Sequence, residues 1–326
     1  MTPIRSCKRW LAQSWVVFVL FLNACVPASG PREQNTPATS QESNAVPLGQ
    51  VTNQDERNSE PHSQVVVIPP RIAPTAASAN HSEGALAVSD LTGLSFVSIE
   101  PGSFRRGSTK EQVQSIVDNW SNADGALLAD ELPDREIHLS RPFEISATEV
   151  PQKVFESVMG SNPSVRKGDD FPVHNVLFEE AVEFCARLSM KTGKKYRLPT
   201  EAEWEFSCRA GSGRLWSFGD DVDGLDQFAW YDDNSDGIAI VGAKRANAWG
   251  LFDMHGNVWE WCSDFFATDA YATSSDTDPT GPPNGPGHVV RGGSAFDEAF
   301  LTRSAERDFG PSFRKMNIGF RIVREP

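Results

Sequence analysis

The chain has 326 residues, of which 39% are hydrophobic, and a formal net charge of -14 at pH 7. Such an acidic protein is poorly suited to nucleic acid, because affinity for phosphate backbones comes from Lys and Arg side chains that neutralise them. The first 89 residues carry six basic and six acidic side chains, so the rest of the chain holds the whole net charge. Composition therefore argues against a nucleic-acid partner and favours cations or basic partners.

The N-terminus has the pattern of a targeting signal. Arg5, Lys8 and Arg9 precede an apolar run of 13 residues, Trp10–Leu22, which is too short to cross a bilayer comfortably. The run leads into Leu-Asn-Ala-Cys, which resembles the lipobox of bacterial lipoproteins, where the cysteine is freed at its amino side and lipidated. We predict a lipoprotein signal peptide over residues 1–24 and lipidation of Cys25. An ordinary secretion signal that happens to contain a cysteine is the alternative.

Either signal takes the mature protein out of the cytoplasm. Val26 follows the cysteine, where an aspartate is linked in some bacteria to inner-membrane retention. We therefore expect a lipid-anchored protein of the bacterial cell envelope, at the outer membrane or the cell surface. Residues 25–89 are rich in Pro, Ser, Ala, Asn, Gln and Thr, and such a composition buries too little apolar area to offset ordering entropy. They are predicted to form a disordered tether between the membrane and a domain at 90–326.

The domain is predicted to mix short strands with a few helices. Apolar and polar residues alternate in the strands, and apolar residues recur every three or four positions in the helices. The predicted strands are Leu94–Ile99, Phe104–Gly107, Glu136–Leu139, Phe143–Ala147, Arg291–Ser294 and Ile318–Val323. The predicted helices are Glu111–Asp118, Glu149–Met159, Phe178–Lys191 and a helix capped by Thr200 and Glu203. Ser121–Pro133 and most of the chain after Gly211 are predicted to be loops.

The stretch Asn247–Trp261, with the sequence NAWGLFDMHGNVWEW, is predicted to form a hairpin around its Gly-Asn turn. Asp253 and Glu260 supply carboxylates on either side of the turn. Gly256 and Val258 can direct backbone carbonyls toward the same point, and hard oxygen ligands of this kind suit calcium. The alternative is that Asp253 caps the turn and Glu260 pairs with an arginine.

Other metal and nucleophile patterns are weak. Cys185, Cys208 and Cys262 remain in the mature chain, and this odd number permits at most one disulfide. No CxxC spacing indicates zinc or an iron-sulfur cluster, and no HxxxHxE spacing indicates iron. A GxSxG elbow is also lacking, although folding could bring a serine triad together from distant residues.

Six segments, in the same order, resemble the formylglycine-generating (sulfatase-modifying factor) domain family. They are FVSIEPGSFRRGS at 96–108, PVHNVLFEEAVEFCARLS at 172–189, RLPTEAEWEFSCRAG at 197–211, NAWGLFDMHGNVWEWC at 247–262, VVRGGS at 289–294 and NIGFRIV at 317–323. The resemblance implies an α+β fold, an enlarged variant of the C-type lectin fold with little regular secondary structure. It also implies one calcium site at Asp253, Gly256, Val258 and Glu260. A second family site, expected near Ala229–Tyr231, is lost or rebuilt.

The enzymes of this family oxidise a cysteine of new sulfatases to formylglycine, with copper held by two cysteines after the GGS strand. Thiolates select Cu(I), whereas this chain has Asp297 at the first ligand position and Thr302 near the second. Copper is therefore not expected, and no catalytic residue is predicted. Ser294 and Trp259 match retained residues of the family's groove, although a strand-end hydrogen bond and a core aromatic are the plainer roles for them.

The resemblance also bears on the cysteines. Cys185 and Cys208 match cysteines that form disulfides in some enzymes of the family, yet their expected partners are Ile322 and Ser304 in this chain. Whether they pair with each other or stay free is left open by the sequence.

Three functions follow from these patterns. The first is a calcium-stabilised binding or assembly module with a protein or glycan ligand. Its contact residues would be the surface side chains of Trp230, Tyr231, Asp232 and Asp233. The second is an oxidoreductase acting on protein cysteine with the remaining thiols, and the third is a purely structural envelope protein.

Overall fold

The computed structural model describes residues 93–313 and 315–326. The predicted signal peptide, Cys25 and the tether lie outside the described residues. In the described part, no helix combines the length and apolar character needed to cross a membrane.

The described chain alternates short strands with short helices. The strands are β1 (Phe96–Ile99), β2 (Gly102–Arg106), β3 (Arg135–Leu139), β4 (Phe143–Ser146), β5 (Tyr196–Arg197), β6 (Trp259–Phe265), β7 (His288–Arg291), β8 (Arg307–Phe309), β9 (Ile318–Gly319) and β10 (Val323–Arg324). The α-helices are α1 (Lys110–Asn119), α2 (Gln152–Met159), α3 (Phe178–Thr192), α4 (Glu201–Arg209) and α5 (Ala270–Thr273). Short 3-10 helices lie at Leu127–Glu131, Val222–Gln227 and Ala299–Thr302. This arrangement confirms the α+β class.

The strands form two sheets of four and one pair. One sheet has the order β1-β4-β10-β5, the other has the order β8-β7-β6-β9, and β2 pairs with β3. The strand predicted at Ile318–Val323 is divided between the two sheets, because β9 runs parallel to β6 while β10 runs antiparallel to β4. Arg321 lies between these two strands, which places its side chain in the buried space that they share.

The helix ends follow the local sequence. The capping box predicted at Thr200 and Glu203 is present at the start of α4, and Thr109 with Gln112 forms another at α1. The predicted start of α2 at Glu149 is wrong, because Pro151 occupies the N-cap with extended backbone and the helix begins at Gln152. Glu149 consequently belongs to the segment that enters the helix, and its side chain is fully buried.

The predicted hairpin at Asn247–Trp261 is wrong. Only its last residues join a strand, β6, which pairs with β7 and β9 instead of with the preceding segment. The reason is backbone conformation: Asp253, Gly256 and Asn257 have φ angles of 55°, 85° and 61°. These left-handed residues cannot continue a strand, so the segment coils on itself before entering β6.

Buried ion pairs join the sheet β8-β7-β6-β9 to α4, and another joins the 3-10 helices Leu127–Glu131 and Ala299–Thr302. Arg307 Nε donates to Glu201 Oε1 at 2.7 Å, and Arg291 Nη2 donates to Glu205 Oε2. Arg303 Nη2 likewise donates to Glu131 Oε1 at 2.8 Å. Each of these arginines is almost completely shielded from solvent, so removal of any one partner would leave an uncompensated charge in the core.

Asp264 makes the stability of this core depend on pH. Burial raises the pKa of Asp264 from 3.8 to about 7, and the Glu201 carboxylate adds to the rise. Between these two values the unfolded chain binds fewer protons than the folded chain, so stability falls as the pH rises. Asp264→Asn should remove this loss, worth roughly 4 kcal/mol across the window, because a neutral amide oxygen can still accept the N–H of Glu201.

Urea unfolding at pH 4 and pH 8 measures this effect. Asp118→Asn, at an exposed position on α1, is the control, and its free energy of unfolding should change with pH as that of the wild type does. If the free energy of unfolding of Asp264→Asn fell between pH 4 and pH 8 as much as that of the wild type, Asp264 would not be the cause of the pH dependence.

Candidate functional site

The Glu260 carboxylate belongs to an ion pair in the structure. Arg321 donates to Glu260 Oε2 from Nε at 2.6 Å and to Oε1 from Nη2 at 2.7 Å. Trp204 Nε1 adds a third donor at 2.7 Å. Both oxygens thus accept hydrogen bonds from neighbouring side chains, which matches the alternative prediction that Glu260 pairs with an arginine. The Glu260 side chain therefore does not fit the predicted set of calcium ligands.

A different pair of acids carries the unpartnered oxygens. Asp253 Oδ2 accepts the N–H of Gly242 at 2.6 Å, and Glu149 Oε1 accepts Asn257 Nδ2 at 3.0 Å. The other oxygens, Asp253 Oδ1 and Glu149 Oε2, are buried and have no hydrogen-bond partner among the described residues. Two unsatisfied carboxylate oxygens in a core are costly, so this pair of acids requires a shared proton or a cation that neutralises it.

The electrostatics of these acids agree with that requirement. Burial raises the pKa of Asp253 to about 6, and burial together with the charges of Asp253 and Glu260 raises the pKa of Glu149 well above its usual range. Sequence reasoning missed Glu149 because its position next to α2 suggested a helix face. The signal that could have identified it is Pro151 two positions later, because the proline disfavours helical backbone at Val150 and so separates Glu149 from the helix.

The donor set suits calcium better than a transition metal. In the described ranges, no three His, Cys, Asp or Glu side chains converge as ligands for one metal ion. Two buried carboxylates beside the coiled loop that holds Gly256 and Val258 leave the remaining ligands to backbone oxygens, which calcium accepts readily. The side chains of Asp253 and Glu149 therefore fit the calcium ion that the family resemblance implies, whereas the side chain of Glu260 does not.

The two copper-ligand positions are occupied by groups that bond to the protein. Asp297 Oδ2 accepts Ser294 Oγ at 2.5 Å and Trp259 Nε1 at 2.8 Å, and burial raises the pKa of this carboxyl. Thr302 Oγ1 donates to Ala299 O at 2.8 Å and is fully shielded from solvent. Ser294 and Trp259, predicted as groove residues, are themselves buried and fix the Asp297 side chain.

The cysteines of the domain are buried free thiols, so no disulfide joins Cys185, Cys208 and Cys262. Burial raises the pKa of Cys185 and of Cys208 to about 12, and that of Cys262 well above its usual range. A thiol reacts as its thiolate, so the geometry gives no support to an oxidase that uses these residues.

The predicted contact residues divide into two groups. Asp232 and Asp233 are exposed, as expected of a binding surface. Tyr231 is 93% shielded and donates its hydroxyl to Asp226 at 2.9 Å, and Trp230 is half-buried beneath the ammonium of Lys244. The prediction of two surface aromatics is therefore wrong for Tyr231, because its ring packs in a buried cluster with Trp216 and Leu225.

Comparison with known proteins identifies the family. The sequence model of the sulfatase-modifying factor enzyme 1-like domain matches residues 87–326, so the chain belongs to this family and the resemblance is confirmed. The chain is 34% identical over 183 residues to the formylglycine-generating enzyme of Streptomyces coelicolor, covering 51% of this chain and 56% of the relative. It is 30% identical over 172 residues to the inactive C-alpha-formylglycine-generating enzyme 2 of Bos taurus, covering 49% and 55%.

Solved structures support the same fold. Treponema denticola variable protein 1 aligns with a TM-score of 0.61 at 27% identity, over 72% of this chain and 95% of its own. The chain spans about half the length of the curated relatives it matches. The fold is therefore that of the formylglycine-generating family, an enlarged relative of the C-type lectin fold.

Proposed function

We propose that this chain is a lipid-anchored, extracytoplasmic member of the family that lacks the formylglycine-generating oxidase reaction and works as a binding or assembly module. One observation carries the proposal: the two copper positions hold Asp297 and Thr302, whose side chains are hydrogen-bonded to the protein. Carboxylate and hydroxyl oxygens are poor ligands for Cu(I) and cannot cycle through a disulfide. The similarity to a relative named as inactive supports the same view.

The envelope location and the ligand class are parts of the same proposal. The lipobox-like cysteine Cys25 supports a membrane anchor, and residues 25–89 would separate the domain from the membrane. The exposed carboxylates of Asp232 and Asp233 support a protein or glycan ligand that presents cationic or hydroxyl groups.

Mass spectrometry of a sulfatase-type CxPxR peptide tests the loss of oxidase activity. The full chain is incubated with the peptide, copper, calcium and reductant, and the Streptomyces enzyme serves as the positive control. We expect the peptide cysteine to stay unchanged while the control converts it to the aldehyde. Aldehyde formed by this chain would overturn the proposal and point to a reaction without the two ligand cysteines.

We also propose that Asp253 and Glu149 hold calcium, which would supply the missing positive charge and fix the coiled loop before β6. Saturating calcium should raise the melting temperature by several degrees relative to chelator, because a domain of this size gains about 2–4 °C for each kcal/mol of binding free energy. Asp253→Asn combined with Glu149→Gln should abolish the shift.

Glu156→Gln, at an exposed position on α2, is the matched control for this experiment and should keep the calcium shift. Magnesium in place of calcium tests selectivity, because magnesium demands a tighter octahedral shell. Equal melting curves for the wild-type chain in calcium and in chelator would exclude the site.

A further inference from the structure

Folding brings a serine and a histidine together that are 38 positions apart in sequence. Ser217 lies in a tight turn closed by two hydrogen bonds, Trp216 N to Gly219 O at 3.0 Å and Gly219 N to Trp216 O at 3.2 Å. Its Oγ is 2.9 Å from Nε2 of His255. This is the separation at which a base can take the proton of a nucleophile.

The hydrogen bonds fix the tautomer of His255. Nδ1 is 2.8 Å from Thr302 O, and a carbonyl oxygen can only accept, so Nδ1 carries the proton. The backbone N–H of Ser217 donates to Nε2 at 3.2 Å, which shows that Nε2 is the unprotonated nitrogen. The lone pair of Nε2 therefore also faces the Ser217 hydroxyl, which donates to it across 2.9 Å.

Thr302 anchors both partners of this pair. Its carbonyl orients the ring of His255, as a third group does in a catalytic triad. Its Oγ1 accepts Trp216 Nε1 at 3.2 Å, which holds the turn that carries Ser217. Ser217 is half-buried and His255 is 98% shielded, so bulk water is kept from the imidazole ring.

We propose that Ser217 and His255 act as a nucleophile and general base toward small activated acyl esters. The Ser217 oxygen forms a bond to the ester carbonyl carbon, and its proton moves to His255 Nε2. The bond from that carbon to the leaving alcohol then breaks, and the alcohol takes the proton from Nε2. Water hydrolyses the acyl-serine by the same route and restores the hydroxyl.

The turn also offers a donor for the developing oxyanion. Among the described residues, none accepts the backbone N–H of Phe218, the residue that follows the nucleophile. The residue after the nucleophile supplies such a donor in serine hydrolases with a nucleophile elbow. No GxSxG sequence is present here, so this pair could be found only from the folded chain.

Labelling with a fluorophosphonate tests the pair on the full-length chain. In this reaction the Ser217 oxygen bonds to phosphorus, fluoride leaves and His255 takes the proton. Ser212 is the internal control, because it lies in the same loop and is half-buried but bonds to Trp216 O instead of to a histidine. We expect peptide mapping to show at least about 100-fold more adduct on Ser217 than on Ser212, the lower end of what a positioned base contributes.

Variants assign the role of each residue. Ser217→Ala should abolish the adduct and the hydrolysis of p-nitrophenyl acetate, whereas Ser212→Ala should keep both. His255→Gln should lower the labelling rate at least 100-fold, with near-UV circular dichroism used to verify that it is folded. Equal labelling of Ser217 and Ser212 in the folded wild-type chain would overturn the proposal, as would undiminished labelling in a folded His255→Gln. The first comparison needs no variant, so it remains decisive if His255→Gln fails to fold.

Discussion

Arg321→Met should lower the free energy of unfolding by about 3–5 kcal/mol, the usual cost of removing one partner of a buried ion pair. Arg321 is fully shielded and donates to both oxygens of Glu260, and its Nη2 also reaches Phe252 O at 2.9 Å. Without the guanidinium, the Glu260 carboxylate would remain in the core close to two further acids, Glu149 and Asp253.

Arg105→Met is the matched control for this variant. Arg105 also pairs with an acid, Asp134, but its side chain is 67% exposed. Exposed pairs contribute at most about 1 kcal/mol, because water and salt screen them. Urea unfolding of both variants under the same conditions checks the difference. Similar losses for Arg321→Met and Arg105→Met would mean that the buried pair does not organise the two sheets.

Gly256→Ala should be the most damaging single-methyl change in the loop before β6. Gly256 has a φ of 85°, and a Cβ there would stand 2.0 Å from the carbonyl oxygen of Trp230. The backbone cannot yield cheaply, because Asn257 N donates to that same oxygen at 2.9 Å. The left-handed conformation costs about 1–2 kcal/mol for a residue with a Cβ, and overpacking adds roughly 1–3 kcal/mol.

Gly250→Ala separates the two costs. Gly250 has nearly the same φ, 86°, but a Cβ there would meet nothing within 4 Å. Gly250→Ala should therefore lower the free energy of unfolding only by the conformational cost, about 1–2 kcal/mol. Gly256→Ala should lower it by that cost and by the cost of the clash with Trp230. Chemical denaturation gives both values. If the two variants lost the same free energy, close packing of the loop against Trp230 would be disproved.

The local elements were readable from the sequence because local chemistry determines them. Helices α3 and α4 follow from apolar spacing, from Gly193 as a stop and from the Thr200 capping box, and the structure has all three features. The hairpin prediction is wrong because the Gly-Asn pair does not form a simple two-residue turn between paired strands. Three left-handed residues close together, including Asp253, instead form a coiled loop, and no alternation pattern reveals that conformation.

The site was harder to predict, because its partners come from distant parts of the chain. Arg321 is 61 positions from Glu260, and Glu149 is 108 positions from Asn257. Spacing within one motif could therefore single out Asp253 as a candidate ligand but could not show that Glu260 is paired with Arg321. The same limit applies to Ser217 and His255, which share no sequence motif and meet only after folding.

A titration with Cu(I) tests the central claim most directly. The full chain and the Streptomyces enzyme would compete separately with a chromophoric Cu(I) chelator under reducing conditions. Because Asp297 and Thr302 replace the two thiolates, we predict that this chain removes no copper from the chelator, while the enzyme removes one equivalent. A tight complex of one Cu(I) per chain would contradict the loss of the copper site and with it the proposed function.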